Sequence, residues 1–185
     1  MRHAFVNLRS VALAISIVAL LLAGCDRRTE TAGSKGSAAG GDALPAGLAL
    51  TEPPAGVKDV AAVRAEAKAG DEVVLRGRVG GSLSPFVEGR ASFQLVDASL
   101  KACGEGTPMD NCKTPWDYCC DDPKDLAAHS ASVQVVGPDG RPLRAGLQGF
   151  AGLKPLSTVT VKGVVAKPSS SGALVVNATG IYVSG

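Results

Sequence analysis

Two distant segments of this chain share one pattern. Val73-Val74-Leu75-Arg76-Gly77-Arg78-Val79 and Val159-Thr160-Val161-Lys162-Gly163-Val164-Val165 both read apolar, any, apolar, basic, glycine, any, valine. Side chains alternate across a strand, so Val73, Leu75, Gly77 and Val79 share one face, as do Val159, Val161, Gly163 and Val165. A glycine inside a strand gives up packing and backbone entropy, and it marks a bend or a close approach of another backbone. Small closed barrels need such bends. Three further strands fit the same period: 90–97, with Ala91, Phe93 and Leu95 inward; 132–136, ending at the turn Gly137-Pro138-Asp139-Gly140; and 173–183, where Gly180 marks a bulge. A helix is expected over 57–69, from Val60, Val63 and Ala67 at helical spacing, with Asp59 as its cap and Gly70 as its stop.

Five strands whose first and fourth members bend at glycine resemble an OB-fold. The short helix leading into Gly70-Asp71-Glu72-Val73-Val74-Leu75-Arg76-Gly77 is similar to the opening of exported bacterial OB-fold proteins. The resemblance spans about 57–183 and implies an all-β, five-stranded Greek-key barrel. It departs from the family at Arg141 to Leu156, where many members carry a helix. Gly146, Gly149, Gly152 and Pro155 favour a loop or short turn there. Nucleic-acid binding does not transfer with the fold. Aromatic residues make up 4% of the chain, the formal net charge is only +2, and no basic stripe is present.

The N-terminus supplies an address. Arg2, His3 and Arg9 precede an apolar run from Val11 to Leu22, which is short for a membrane span. Leu22-Ala23-Gly24-Cys25 resembles the lipobox of bacterial lipoproteins. That resemblance implies a signal peptide over 1–24, a diacylglyceryl group on the Cys25 sulfur and acylation of the new N-terminus. Multiple chains anchor stably, since each buried methylene contributes about 0.8 kcal/mol. The lipid bilayer is therefore an expected partner. Asp26 implies retention at the inner membrane facing the periplasm, with the outer membrane as the alternative. Residues 26–56 are rich in Gly, Ala, Ser and Thr without apolar period, and they read as a disordered tether following Cys25. The domain is then 57–185.

Between the second and third strands lies an insert, 98–131, far longer than a hairpin loop. It holds every cysteine of the domain (Cys103, Cys112, Cys119 and Cys120) and the sole tryptophan, Trp116, close to Tyr118. Glu105, Asp110, Asp117, Asp121, Asp122 and Asp125 outnumber Lys101, Lys113 and Lys124, which favours cations over phosphates. The first expectation is two disulfides joining Cys119 and Cys120 each to one of Cys103 and Cys112, in keeping with an oxidising compartment. The alternative is a zinc or copper site built from the four cysteines, with His129 as a possible replacement ligand. Thiol redox catalysis ranks lowest, because Cys-x-x-Cys is absent. Trp116 and Tyr118 are candidate ligand contacts, or else Trp116 packs over the disulfides and forms the small core of the insert.

The chain lacks a phosphate-binding Gly-x-x-x-x-Gly-Lys, a Gly-x-Ser-x-Gly elbow and a His-Glu-x-x-His pair. The expectation is a non-enzymatic envelope lipoprotein without a cofactor, in which an OB-like barrel displays a stapled loop to an envelope protein or small ligand. The alternatives are metal binding or thiol redox at the insert and, more weakly, nucleic-acid binding.

Overall fold

The computed structural model describes residues 41–106, 112–167 and 172–184. The expected signal peptide over 1–24 and the expected lipidation site Cys25 lie outside them. Among the described residues, no helix is long and apolar enough to cross a membrane.

The chain forms β1 (Lys58–Asp59), α1 (Val60–Glu66), β2 (Glu72–Val79), β3 (Ser92–Val96), α2 (Pro123–Ala128), β4 (Ser130–Gln134), β5 (Thr158–Val165) and β6 (Leu174–Val183). Strands run in the order β1-β2-β3-β4-β6-β5, and β2 also pairs with β5. That last pairing closes a five-stranded barrel of β2, β3, β4, β6 and β5. Only β4 and β6 run parallel within it. This is the OB-like Greek-key arrangement, with the cysteine insert between the second and third barrel strands.

The echoed segments are β2 and β5, and they pair with each other. Val73 lies opposite Gly163 and Gly77 lies opposite Val159, so each glycine faces the leading valine of the other motif. The glycines admit neighbouring backbone. A Cβ at Gly77 would stand 2.5 Å from the Val96 carbonyl oxygen and 2.8 Å from Leu95 Cγ. A Cβ at Gly163 would collide with the Asn177 carbonyl oxygen. The β5–β6 register shifts between Lys162 and Gly163, passing over Thr179, so the bulge sits beside Gly180.

Alternation then fills the interior. Leu75, Val79, Phe93, Leu95, Val133, Val159, Val161, Val176 and Ile181 are buried in one cluster, which Val60 and Val63 of α1 join. The helix is shorter than 57–69 because Lys58 and Asp59 pair with β2 in parallel. Asp59 holds the N-cap position without a side-chain capping bond. Asp97, at the end of β3, takes over that task. Residues 141–156 form no α-helix; they carry a 3-10 turn at Phe150–Gly152 and contribute Leu147 and Leu153 to the core.

The packed unit begins earlier than Val57. Residues expected to be tether lie against the barrel: Leu48 is buried, and the amide of Ile181 donates to Leu48 while that of Leu50 donates to Ile181. Asp42 is tied to Arg144 by two hydrogen bonds. Leu44, Leu48 and Leu50 dock a segment that otherwise lacks apolar period, because β6 offers backbone partners at Ile181 beside Gly180, which Leu50 covers.

Candidate functional site

The insert is fastened to the barrel at two places. The Arg78 guanidinium, on β2, donates to the Leu100 carbonyl at 2.6 Å and to Glu105 Oε2 at 2.7 Å. Glu105 Oε2 also accepts from the Ala102 amide, and the hydrogen bonds from Arg78 and then Ala102 hold the Glu105 carboxyl below its usual range. The second fastening is Tyr118. Its ring is fully buried with Val96 and Ala102, and Leu100, Leu126 and Leu156 pack around them. Gly80 makes the room, since a Cβ there would meet the Trp116 carbonyl at 2.6 Å and the Tyr118 ring at 2.8 Å. The Gly81 amide donates to the same Trp116 carbonyl at 2.8 Å.

The candidate aromatic contact pair is thereby split. Tyr118 is no surface contact; it is the core of the insert, and burial pushes its phenol pKa up against the lowering influence of Arg78. Trp116 is half-buried and donates through Nε1 to the Leu83 carbonyl at 3.1 Å. It borders an open groove that also includes the exposed Leu83 and Val87.

Tyr118 adopts a left-handed conformation, with φ of 56°. The turn sends its own ring inward while its neighbours Asp117 and Cys119 reach the cysteines. Cys119 Sγ lies 3.7 Å from Cys103 Sγ, 4.0 Å from Cys112 Sγ and 4.0 Å from Cys120 Sγ. No disulfide joins any two of Cys103, Cys112 and Cys119, in contrast to the two expected staples. A bond needs about 2.05 Å between sulfurs, and Cys119 sits as a hub among three neighbours instead of facing one partner.

Asp117 stands beside the sulfurs, although sequence reasoning did not single it out. Its Oδ1 accepts from the Cys119 amide at 3.0 Å and lies 3.8 Å from Cys103 Sγ, and its Oδ2 accepts from Thr114 Oγ1 at 2.8 Å. The Cys119 amide foremost, with Thr114, holds its carboxyl below the usual range against opposing burial. Asp117 in turn, together with the neighbouring thiols, pushes the Cys119 thiol well above its ordinary value. Cys103, Cys112, Asp117 and Cys119 place one ligand atom each within 4.8 Å of all the others.

No family model and no curated protein matches the chain. Among solved structures, it is similar to the hypothetical protein ygiW from E. coli. Identity is 13% and the TM-score 0.38, over 76% of this chain and 100% of that one.

His129, the candidate replacement ligand, stands outside this group. It ends α2, with Nδ1 2.8 Å from the Asp125 carbonyl. The cations of β2 are already matched: Arg78 pairs with Glu105, and Arg76 lies 3.6 Å from Asp59. That arrangement leaves this strand poorly suited to a phosphate backbone.

Proposed function

We propose that this chain is a lipid-anchored protein of the bacterial envelope, a non-enzymatic binding module whose OB-like barrel presents the cysteine insert. The observation that carries this reading is the double fastening of the insert, by Arg78 to Leu100 and Glu105 and by Tyr118 beneath Gly80. A loop held this firmly is a built platform, and its sulfurs and Asp117 form the one cluster of metal-ligating side chains found among the described residues. The lipobox at Leu22 to Cys25 supports the anchor, and Asp26 supports the inner membrane. Redox catalysis is disfavoured, because the insert lacks the Cys-x-x-Cys pair that such chemistry normally uses.

The test is to express the full-length chain in a bacterial host and compare it with Cys25→Ser. The expected result is an acylated N-terminal cysteine by mass spectrometry and partition into detergent, both lost in the variant. An unmodified Cys25 in wild-type protein overturns the anchor. Turnover of a small substrate by the purified protein overturns the non-enzymatic assignment.

A further inference from the structure

The separations among the sulfurs match a metal polyhedron better than a covalent bond. Zinc–sulfur bonds of about 2.3 Å in a tetrahedron give sulfur–sulfur edges of roughly 3.8 Å. Cys119 Sγ stands 3.7 Å from Cys103 Sγ and 4.0 Å from Cys112 Sγ, and Asp117 Oδ1 stands 3.8 Å from Cys103 Sγ. The other separations among the four donors stay within 4.8 Å, so all four surround one centre. We infer that Cys103, Cys112, Asp117 and Cys119 constitute a tetrahedral site for a divalent metal, and that zinc is the ion it takes. This rests on the insert being the working part of the chain, and it is independent of lipidation at Cys25.

The donor chemistry selects the ion. Three sulfurs exclude calcium and magnesium, which take oxygen ligands. A carboxylate among the thiolates argues against copper(I), which soft thiolate and thioether donors favour, and suits borderline zinc. Binding converts three thiols to thiolates and releases three protons to solvent as the metal–sulfur bonds form, while Asp117 enters already ionised.

The backbone is arranged for this set. Cys103 is pinned by its amide to the Pro115 carbonyl at 3.1 Å. The left-handed turn at Tyr118 brings Asp117 and Cys119 to the same centre while the ring between them anchors the loop. Thr114 Oγ1 holds Asp117 Oδ2, which leaves Oδ1 directed at the sulfurs. A hydroxyl orienting a ligating carboxylate is the outer-shell partner that metal sites use. Cys103 is buried and Cys119 exposed, so an ion can enter from solvent and end against the protein. Cys120 and His129 are outside the ligand set.

The probe is Co²⁺, followed by Zn²⁺, added to full-length protein purified anaerobically in detergent. One Co²⁺ per chain should bind, with thiolate-to-cobalt charge-transfer bands and the intense visible bands of a tetrahedral site, and Zn²⁺ should displace it. Thr114→Ala should weaken Co²⁺ binding by roughly 10- to 100-fold. Asp117→Asn should weaken it at least as much and alter the visible bands. Cys120→Ser and His129→Ala should leave both affinity and spectrum unchanged. Circular dichroism of each variant separates loss of metal from loss of fold. Absence of the thiolate bands overturns the site, as do thiols that resist alkylation until reduced. Loss of binding in Cys120→Ser with retention in Asp117→Asn overturns the assigned ligand set. Loss of lipidation with Co²⁺ binding intact removes the anchor and leaves the metal site standing.

Discussion

Asp97 caps a helix far before it in the chain: its Oδ2 accepts the amide of Ala61, 36 residues earlier, at 2.8 Å. Its other oxygen accepts the Ser99 amide at 2.9 Å. One buried carboxylate thus joins α1, the end of β3 and the start of the cysteine insert. Asp97→Ala removes a cap and leaves two amides without their acceptor. The expected loss is about 1–2 kcal/mol, measured by urea unfolding with Trp116 fluorescence as the signal.

The same carboxylate should make stability depend on acid pH. Burial alone would raise its pKa, but the amides of Ala61 and Ser99, with His129 near, outweigh that and hold it below the usual value. A folded-state pKa below the unfolded one of about 3.9 stabilises the fold fully above the unfolded value. That contribution disappears as pH falls through the folded value. The urea midpoint of Asp97→Asn should therefore vary less than that of wild type between about pH 5 and pH 2. Parallel curves for the two proteins would exclude Asp97 as a source of acid sensitivity.

The strand glycines should not tolerate a methyl group. Gly77→Ala drives a carbon to 2.5 Å from the Val96 carbonyl, and Gly163→Ala meets the Asn177 carbonyl. Each obstacle is backbone, so each substitution should destabilise by roughly 1–3 kcal/mol or more. Gly146→Ala is the control. Nothing lies within 4 Å of its added carbon, so the thermal midpoint should stay level or rise slightly.

Tyr118 should be needed for its ring and not for its hydroxyl. The ring is fully buried, while the hydroxyl makes no hydrogen bond of good geometry among the described residues. Tyr118→Phe should fold with near wild-type stability. Tyr118→Ala should cost about 3–5 kcal/mol, as for other large aromatic truncations. Limited proteolysis should then cut the 98–131 insert before the barrel. Equal effects of the two substitutions would contradict this division.

The barrel was legible because its determinants are local. The echoed motif at Val73 to Val79 and Val159 to Val165 announces both strands, and their glycines announce the bends. What alternation cannot announce is a contact between distant segments of opposite character. Leu48 and Leu50 lie in a Gly- and Ala-rich stretch, and only the backbone partners at Ile181 beside Gly180 explain why they pack. Asp59 stood at the predicted cap position, yet the capping oxygen came from Asp97, which no local pattern connects to α1. In the insert, the cysteines identified the place but not the fourth donor. Asp117 was hidden between two aromatic residues that drew attention to themselves. The signal that could have found it is the left-handed turn at Tyr118, which a sequence does not display.

The position of β6 between β4 and β5 has a consequence for how the molecule comes into being. Residues 174–183 are the stave that seals the ring, and they pair on both sides with strands made before them. Until they arrive, β4 keeps an open edge and Val133 lacks the cover of Val176. The β4–β6 pairing joins segments far apart in sequence, and such pairings assemble late and slowly. The cysteine insert is synthesised before β5 and β6 and therefore waits on a half-built wall. Cys103, Cys112 and Cys119 therefore gain their complete support only when the last stave is in place.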